Sequence, residues 1–161
     1  MVMLHLFLLL ACANEPPEPQ PVAAPPPHWE KRTDLALDAV LTKTCEASIA
    51  DKKPILLEFS APWCADCKKL EHMEKQEDLM GEYANWHRVR VDVGRFDRHE
   101  ALREAFGVYA IAHWTAMKPI SCKEKAPSWP RLNSQLMELE TGSGGPRTVA
   151  DVVKWLVSAR S

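Results

Sequence analysis

Cys64 and Cys67, two residues apart in the stretch APWCADCKKLE, are the side chains of this sequence best suited to chemistry. They stand where an apolar run, ILLEFS, gives way to a charged, helix-compatible segment. A cysteine in that position faces the unpaired amides of the first helical turn and the positive end of the helix dipole, and both favour its thiolate. A free cysteine of pKa near 8.5 is only about 3% ionised at pH 7, whereas a pKa near 7 makes about half of it nucleophilic. Cys67 lies one turn later on the same face, so the pair can close a disulfide within the turn. Three chemistries use such a pair: thiol exchange, half of a zinc site, and an inert staple. Zinc needs four ligands, yet there is no second CxxC, and Cys45, Cys122, His72 and His113 are scattered. A strand-then-helix setting is what a redox pair requires, while the staple stays open.

Neighbouring charges tune such a pair. A carboxylate at Asp66, roughly 7 Å from the thiolate, opposes ionisation by roughly 1 to 2.5 kcal/mol at an effective dielectric of about 20 to 40. Destabilising the thiolate favours the disulfide over the dithiol, which predicts an electron donor rather than a strong oxidant. Lys68 and Lys69 offset part of this or simply face solvent. Glu58 interrupts ILLEF, a run expected to be buried on both faces, where an ionised carboxylate is costly without a partner. Unless it reaches solvent, burial should raise its pKa and suit it to moving a proton near neutrality.

The elements that must position these residues follow from periodicity. A helix is predicted from Asp34, as N-cap, up to the Lys53-Pro54 step, then a strand over PILLEFS. Residues 64 to about 84 read as helix broken near Gly81, and WHRVRVDV alternates as a strand. DRHEALREAFGV reads as helix with Gly107 as its C-cap. YAIAHWTAM and QLMELET are strand candidates, and TVADVVKWLVSA closes the chain as an amphipathic helix. Helices interleaved with strands imply an α/β fold, a central mixed sheet with helices on both faces. Trp86, Trp114 and Trp155 read as core.

With these residues in place, KKPILLEFSAPWCADCKKLE resembles the active-site signature of the thioredoxin family, and the order of elements from about residue 34 to 160 is similar to the thioredoxin fold. The nearest subgroup is that of exported thioredoxin-like domains such as the carboxy-terminal domain of the thiol:disulfide interchange protein DsbD. The resemblance implies a thiol:disulfide oxidoreductase in which Cys64 attacks, Cys67 resolves, and Glu58, six positions before Cys64, accepts the resolving thiol's proton. Trp63 is similar to the family's active-site tryptophan, which shields the disulfide. The family places a cis-proline facing the disulfide, and here Ala112 stands there, followed by His113. Alanine almost never holds a cis bond, so a trans Ala112 and an altered substrate-docking strand are expected. The stretch KPISCKEKAPSWPRLNSQ that follows is expected to be a partner-specific loop near the site. A second reading joins Cys64, Cys67 and His113 as a soft three-ligand set for copper(I), as in metallochaperones.

The rest of the sequence bears on where this happens. The chain has 161 residues, 46% apolar and 26% charged, enough for one compact domain, expected over 29–161, plus an appendage. Its net charge of -2 shows none of the basic excess that nucleic acid attracts. MVMLHLFLLLACA is too short to span a bilayer and has the form of an export signal over 1–13. Leu9 to Cys12 resembles the bacterial lipobox, which implies cleavage before Cys12, its acylation, and a place on the periplasmic face of a membrane. Cleavage after Ala13, leaving a soluble periplasmic or secreted protein, is the alternative. Residues 14–28 are proline-rich and read as an extended tether. Cys45 and Cys122 then remain, as a structural disulfide suited to an oxidising compartment or as two buried thiols. No cofactor is expected. A monomer is expected, acting on protein disulfides or thiols with an upstream electron donor.

Overall fold

The computed structural model describes residues 29–139 and 145–161, so the expected export signal, Cys12 and the proline-rich stretch 14–28 lie outside the described residues. The elements are α1 (Asp34–Asp51), β1 (Ile55–Ser60), α2 (Ala65–Met73), α3 (Glu77–Tyr83), β2 (His87–Asp92), α4 (Glu100–Phe106), β3 (His113–Met117), β4 (Arg131–Leu136) and α5 (Val149–Arg160). The sheet order is β2-β1-β3-β4. β1 runs parallel to β2 and antiparallel to β3, and β4 returns antiparallel along β3. The expected mixed sheet with helices on both faces is what forms, and every residue of the central strand β1 is buried.

Alternation along the strands sorts the core into two halves. Ile55, Leu57 and Phe59 join Val89 and Val91 under α1 and α4 with Leu37, Leu41 and Phe106. Leu56, Trp114 and Ala116 face the other way, against Leu70 of α2, Tyr83 of α3 and Leu156 of α5. Glu58 shares the parity of Leu56, and in β2 Arg88 and Arg90 are opposite Leu56 and Glu58 in register. The parallel pairing therefore brings two cations to the one carboxylate on the same face.

Element boundaries differ from the sequence expectation in instructive ways. The N-cap of α1 is Thr33, whose Oγ1 accepts from the Ala36 N–H at 3.2 Å, and Asp34 becomes the first helical residue, where its charge suits the dipole. The expected break near Gly81 falls instead between α2 and α3, at 74–76, and Gly81 lies inside α3. Helical φ and ψ are open to glycine, so it ends a helix only where a left-handed residue is wanted, as at Gly107 after α4 with φ of 68°. β3 begins at His113 rather than Tyr109. β4 occupies 131–136, earlier than QLMELET, as an edge strand whose residues are largely exposed or half-buried. Thr148 and Asp151 form a reciprocal capping box that starts α5.

The β3–β4 connection corrects a functional expectation. β3 enters beside Phe59 and leaves beside Ile55, so the segment 118–130 departs from the end of the sheet opposite Cys64. It is not a loop near the site. There it is fixed to α1 by a disulfide between Cys45 and Cys122, with Cα atoms 5.8 Å apart, which decides between a bond and two free thiols.

Candidate active site

Cys64 is the N-cap of α2, directly after the turn that leaves β1. It forms a disulfide with Cys67, their Cα atoms 5.3 Å apart, and its Sγ accepts from the Cys67 N–H at 3.1 Å. One amide of the first turn, that of Cys67, thus already points at the Cys64 sulfur, where a thiolate's charge would develop. Each cysteine is only 5% exposed, so in this closed form Cys64 is less open than a surface nucleophile. Trp63 directly precedes Cys64 in the turn. Its Nε1 donates to the Gly94 carbonyl at 2.6 Å and its ring packs on Phe96, 6.0 Å between centroids, yet it stays 47% exposed. Gly94 itself sits at φ of 60°, a left-handed conformation that favours glycine, and a Cβ there would displace the Asp97 carboxylate, 2.0 Å away. Asp66, between the cysteines, accepts from the Leu139 N–H at 3.2 Å and ties the first turn of α2 to the segment after β4.

Opposite the disulfide, the Ile111–Ala112 peptide bond is cis. The expectation of a trans alanine is overturned: the residue that stands in the family's proline position takes the family's bond geometry without the proline ring. Ala112 is buried, and its carbonyl accepts from the Met137 N–H at 2.7 Å, which joins it to the chain after β4. His113 is not brought to the thiols. Its Nε2 pairs with Ser134 Oγ at 2.8 Å and its ring meets Phe59 edge-on. Burial, with the Arg131 charge nearby, holds its pKa below the usual imidazole range. Among the described residues no group of three or more His, Cys, Asp or Glu side chains is placed to hold a metal ion, so the set Cys64, Cys67 and His113 does not assemble.

Beneath Cys67 lies a small cavity, with room for about one water molecule, lined among others by Glu58, Ser60, Cys67, Glu74, Arg90 and Ala112. Trp29, at the start of the described chain, donates from Nε1 to Ser60 Oγ at 2.9 Å.

Glu58 differs from expectation in its electrostatics. Arg88 Nε donates to its Oε1 at 2.5 Å, and Arg90 donates to its Oε2 from Nε at 3.2 Å and Nη2 at 3.1 Å. Burial pushes the carboxyl pKa up, as foreseen, but the two guanidiniums outweigh it and hold the carboxyl below its usual range. Glu74, just past the end of α2, takes Nη2 of both arginines on its Oε1, at 2.6 and 2.5 Å. Its pKa is raised, by burial first and by the neighbouring Glu58 charge second, against the pull of the arginines. Arg88, Arg90 and Glu74 were not among the sequence-derived candidates. The available signal was an Arg-x-Arg strand beside a strand carrying a lone Glu, a pairing that becomes legible only once the two are known to be parallel and in register.

The Thioredoxin family model matches residues 38–118, half of the chain. No curated relative matches. Among solved structures, a disulphide isomerase from Xylella fastidiosa Temecula1 is similar at 21% identity and TM-score 0.63, over 83% of this chain and 96% of its own. The DsbD C-terminal domain of Neisseria meningitidis is similar at 17% identity in its oxidised form, TM-score 0.56, over 81% of this chain and 99% of its own. Its reduced form gives TM-score 0.53 over 75% and 95%, again at 17% identity. At these identities the structural likeness speaks to fold, while the family match covers the strand, the CxxC turn and the helix that carries it. The chain belongs to the thioredoxin family, and with its Cys64–Cys67 pair it is a thioredoxin-like thiol:disulfide oxidoreductase.

Proposed function

We propose that this protein is an exported, membrane-anchored reductant of protein disulfides. The observation that carries the direction of flow is Asp66, a carboxylate held between the two cysteines by the Leu139 amide, at the helix turn where a thiolate must form. Its charge opposes the dithiolate state and favours closure of the pair, so the reduced enzyme gives up its electrons readily. In the cycle, the Cys64 thiolate attacks one sulfur of a client disulfide and expels the other as a thiolate. The Cys67 thiol then loses its proton and attacks Cys64 Sγ, which closes the 64–67 disulfide and frees the second client thiol. Two electrons pass from the CxxC pair to the client, and an upstream dithiol restores them. Trp63, exposed beside Cys64, offers a flat apolar surface to the client, and Ala112 lines the cavity beside Cys67.

Export and anchoring rest on Leu9 to Cys12 and on the proline-rich tether, and they agree with a second disulfide, a bond at home in oxidising compartments. Mass spectrometry of the mature amino terminus tests this half: a diacylated Cys12 is expected, and a soluble product beginning at Asn14 would remove the anchor. The direction of flow is tested by the reduction potential of Cys64/Cys67 equilibrated against glutathione and dithiothreitol. A value below about -230 mV is expected, and one near -120 to -180 mV, where oxidants and isomerases lie, would reverse the assignment.

A further inference from the structure

Among the charges around Cys67 that the cycle above leaves unused, the half-buried Glu74 stands out, because the acid expected to take the proton of Cys67 is not free to do so. Both oxygens of Glu58 are engaged by Arg88 and Arg90. Protonating it would break a buried pair on two sides and leave two cations to a single anion. Glu74 borders the same cavity as Cys67. Both arginine bonds that it receives land on Oε1.

We propose that Glu74, rather than Glu58, accepts the proton of Cys67 when the mixed disulfide is resolved. The inference rests on the reading in which Cys64 attacks and Cys67 resolves. Charge balance carries it. With the Cys67 thiol intact, Glu58 and Glu74 are two anions facing two guanidiniums, and the cluster is neutral. When the proton moves from Cys67 Sγ to Glu74, across the one-water cavity, the thiolate becomes the second anion beside Arg90 and the cluster remains neutral. Glu58 stays ionised throughout as the fixed counter-charge. As Cys67 attacks Cys64 Sγ, its charge passes to the departing client sulfur, and the proton on Glu74 is then returned to that thiolate or to water. The groups facing Glu74 are Glu58 from β1, Arg88 and Arg90 from β2, Tyr83 from α3 and Cys67 from α2. Burial and the adjacent Glu58 charge both make Glu74 the easier of the two acids to protonate.

The test isolates the resolving step. The full protein is loaded at Cys64 with 5-thio-2-nitrobenzoate, and release of the coloured thiolate is followed by stopped flow from pH 5 to 9. In wild type the rate bends where Glu74 takes up its proton. Glu74→Gln should release the probe about a hundredfold more slowly at pH 7, with the bend gone and the rate rising with pH as Cys67 ionises unaided. Glu74→Asp should restore part of the rate. A merely electrostatic role predicts the opposite sign, since removing a negative charge beside Cys67 would stabilise its thiolate and speed release. A faster or unchanged Glu74→Gln therefore overturns the proposal. In parallel, carboxyl carbon NMR of the reduced wild-type protein needs no variant to fold. Glu74 should titrate towards neutral pH while Glu58 stays ionised down to the acid end, and the reverse assignment also overturns it. Failure of Cys64 to take up the probe at all would instead count against the order of attack on which the inference rests.

Discussion

The molecule contains two disulfides, and they are built for opposite ends. Cys64–Cys67 spans a sequence separation of 3 within one helical turn, at the end of the sheet where β1 leads into α2. Cys45–Cys122 spans 77 residues and ties the middle of α1 to the β3–β4 connection at the other end. In the chain-entropy account, closing the long loop removes about 4.5 kcal/mol of freedom from the unfolded chain, against roughly 2 kcal/mol for the short one. The short bond can open and close in every turnover with little effect on the fold, whereas opening the long one would loosen it. Their surroundings differ as well. Beside Cys67 lie a cavity, a carboxylate pair and two guanidiniums, while Cys45 is wholly buried in the apolar half of the core. The chemistry belongs to the setting rather than to the bond.

The strongest way to break this division is by activity. Cys64→Ser should abolish dithiol-dependent reduction of insulin, and Cys67→Ser should accumulate mixed disulfides with clients. The double variant Cys45→Ala/Cys122→Ala should retain activity within about threefold at temperatures where it is folded, because thiol exchange at Cys64 does not pass through the staple. A folded double variant with no activity would show that the two bonds act together.

Stability at the catalytic end depends on the ion cluster. Glu58→Gln leaves Arg88 and Arg90 with Glu74 alone, and breaking a buried pair from one side costs about 3 to 5 kcal/mol. The pH dependence carries a sign. The folded pKa of Glu58 is depressed, so its contribution is full above the unfolded value near 4.5 and is lost as pH falls through the folded value. Urea unfolding should show the gap between wild type and Glu58→Gln constant near neutrality and closing below about pH 4.5. Glu74 has a raised folded pKa, so its contribution runs the other way: full below about 4.5 and lost as pH rises through the folded value. A gap for Glu58→Gln that widens on acidification would contradict the charge assignment.

The staple should be read in stability alone. Urea unfolding of the Cys45→Ala/Cys122→Ala variant should lose about 2 to 4 kcal/mol, less than the entropic ceiling because native packing around Cys45 relaxes. Cys64→Ala/Cys67→Ala should lose less than about 2 kcal/mol. Equal losses would erase the distinction drawn from loop length.

How much of this was readable beforehand follows the same division. The catalytic pair was legible because every part of its signal is local: an apolar strand, two cysteines one turn apart and a charged helix after them. Glu58 was legible as a buried acid because it breaks an apolar run, but its electrostatics were not. Arg88 and Arg90 alternate with Val89 and Val91, and alternation is ordinarily the mark of a strand with one wet face. Here α2 and α3 cover that face, and the arginines are buried for the sake of the two glutamates. The cis bond at Ala112 has no local signature, because alanine, unlike proline, carries no sequence signal for one. The distant placement of 118–130 needed the direction of β3, which comes from pairing and not from composition.

The smallest effect concerns the residue between the cysteines. Asp66→Asn keeps an oxygen to accept the Leu139 N–H and removes only the charge, so the fold should be unchanged. Without that charge the reduced pair is easier to ionise and the dithiol state is favoured, which moves the potential in the oxidising direction. Across an effective dielectric of about 20 to 40 the interaction is roughly 1 to 2.5 kcal/mol, and because Asp66 is half-exposed the more strongly screened end applies, about 1 kcal/mol. For a two-electron couple that corresponds to about 20 mV. Equilibration against glutathione resolves such a shift when wild type and variant are run side by side. The staple supplies the internal control, since Asp66→Asn should leave the Cys45–Cys122 potential where it was. A shift of the same size in the reducing direction would mean that Asp66 aids the thiolate through its bond to the backbone, and the case for a reductant would then lose the residue on which it stands.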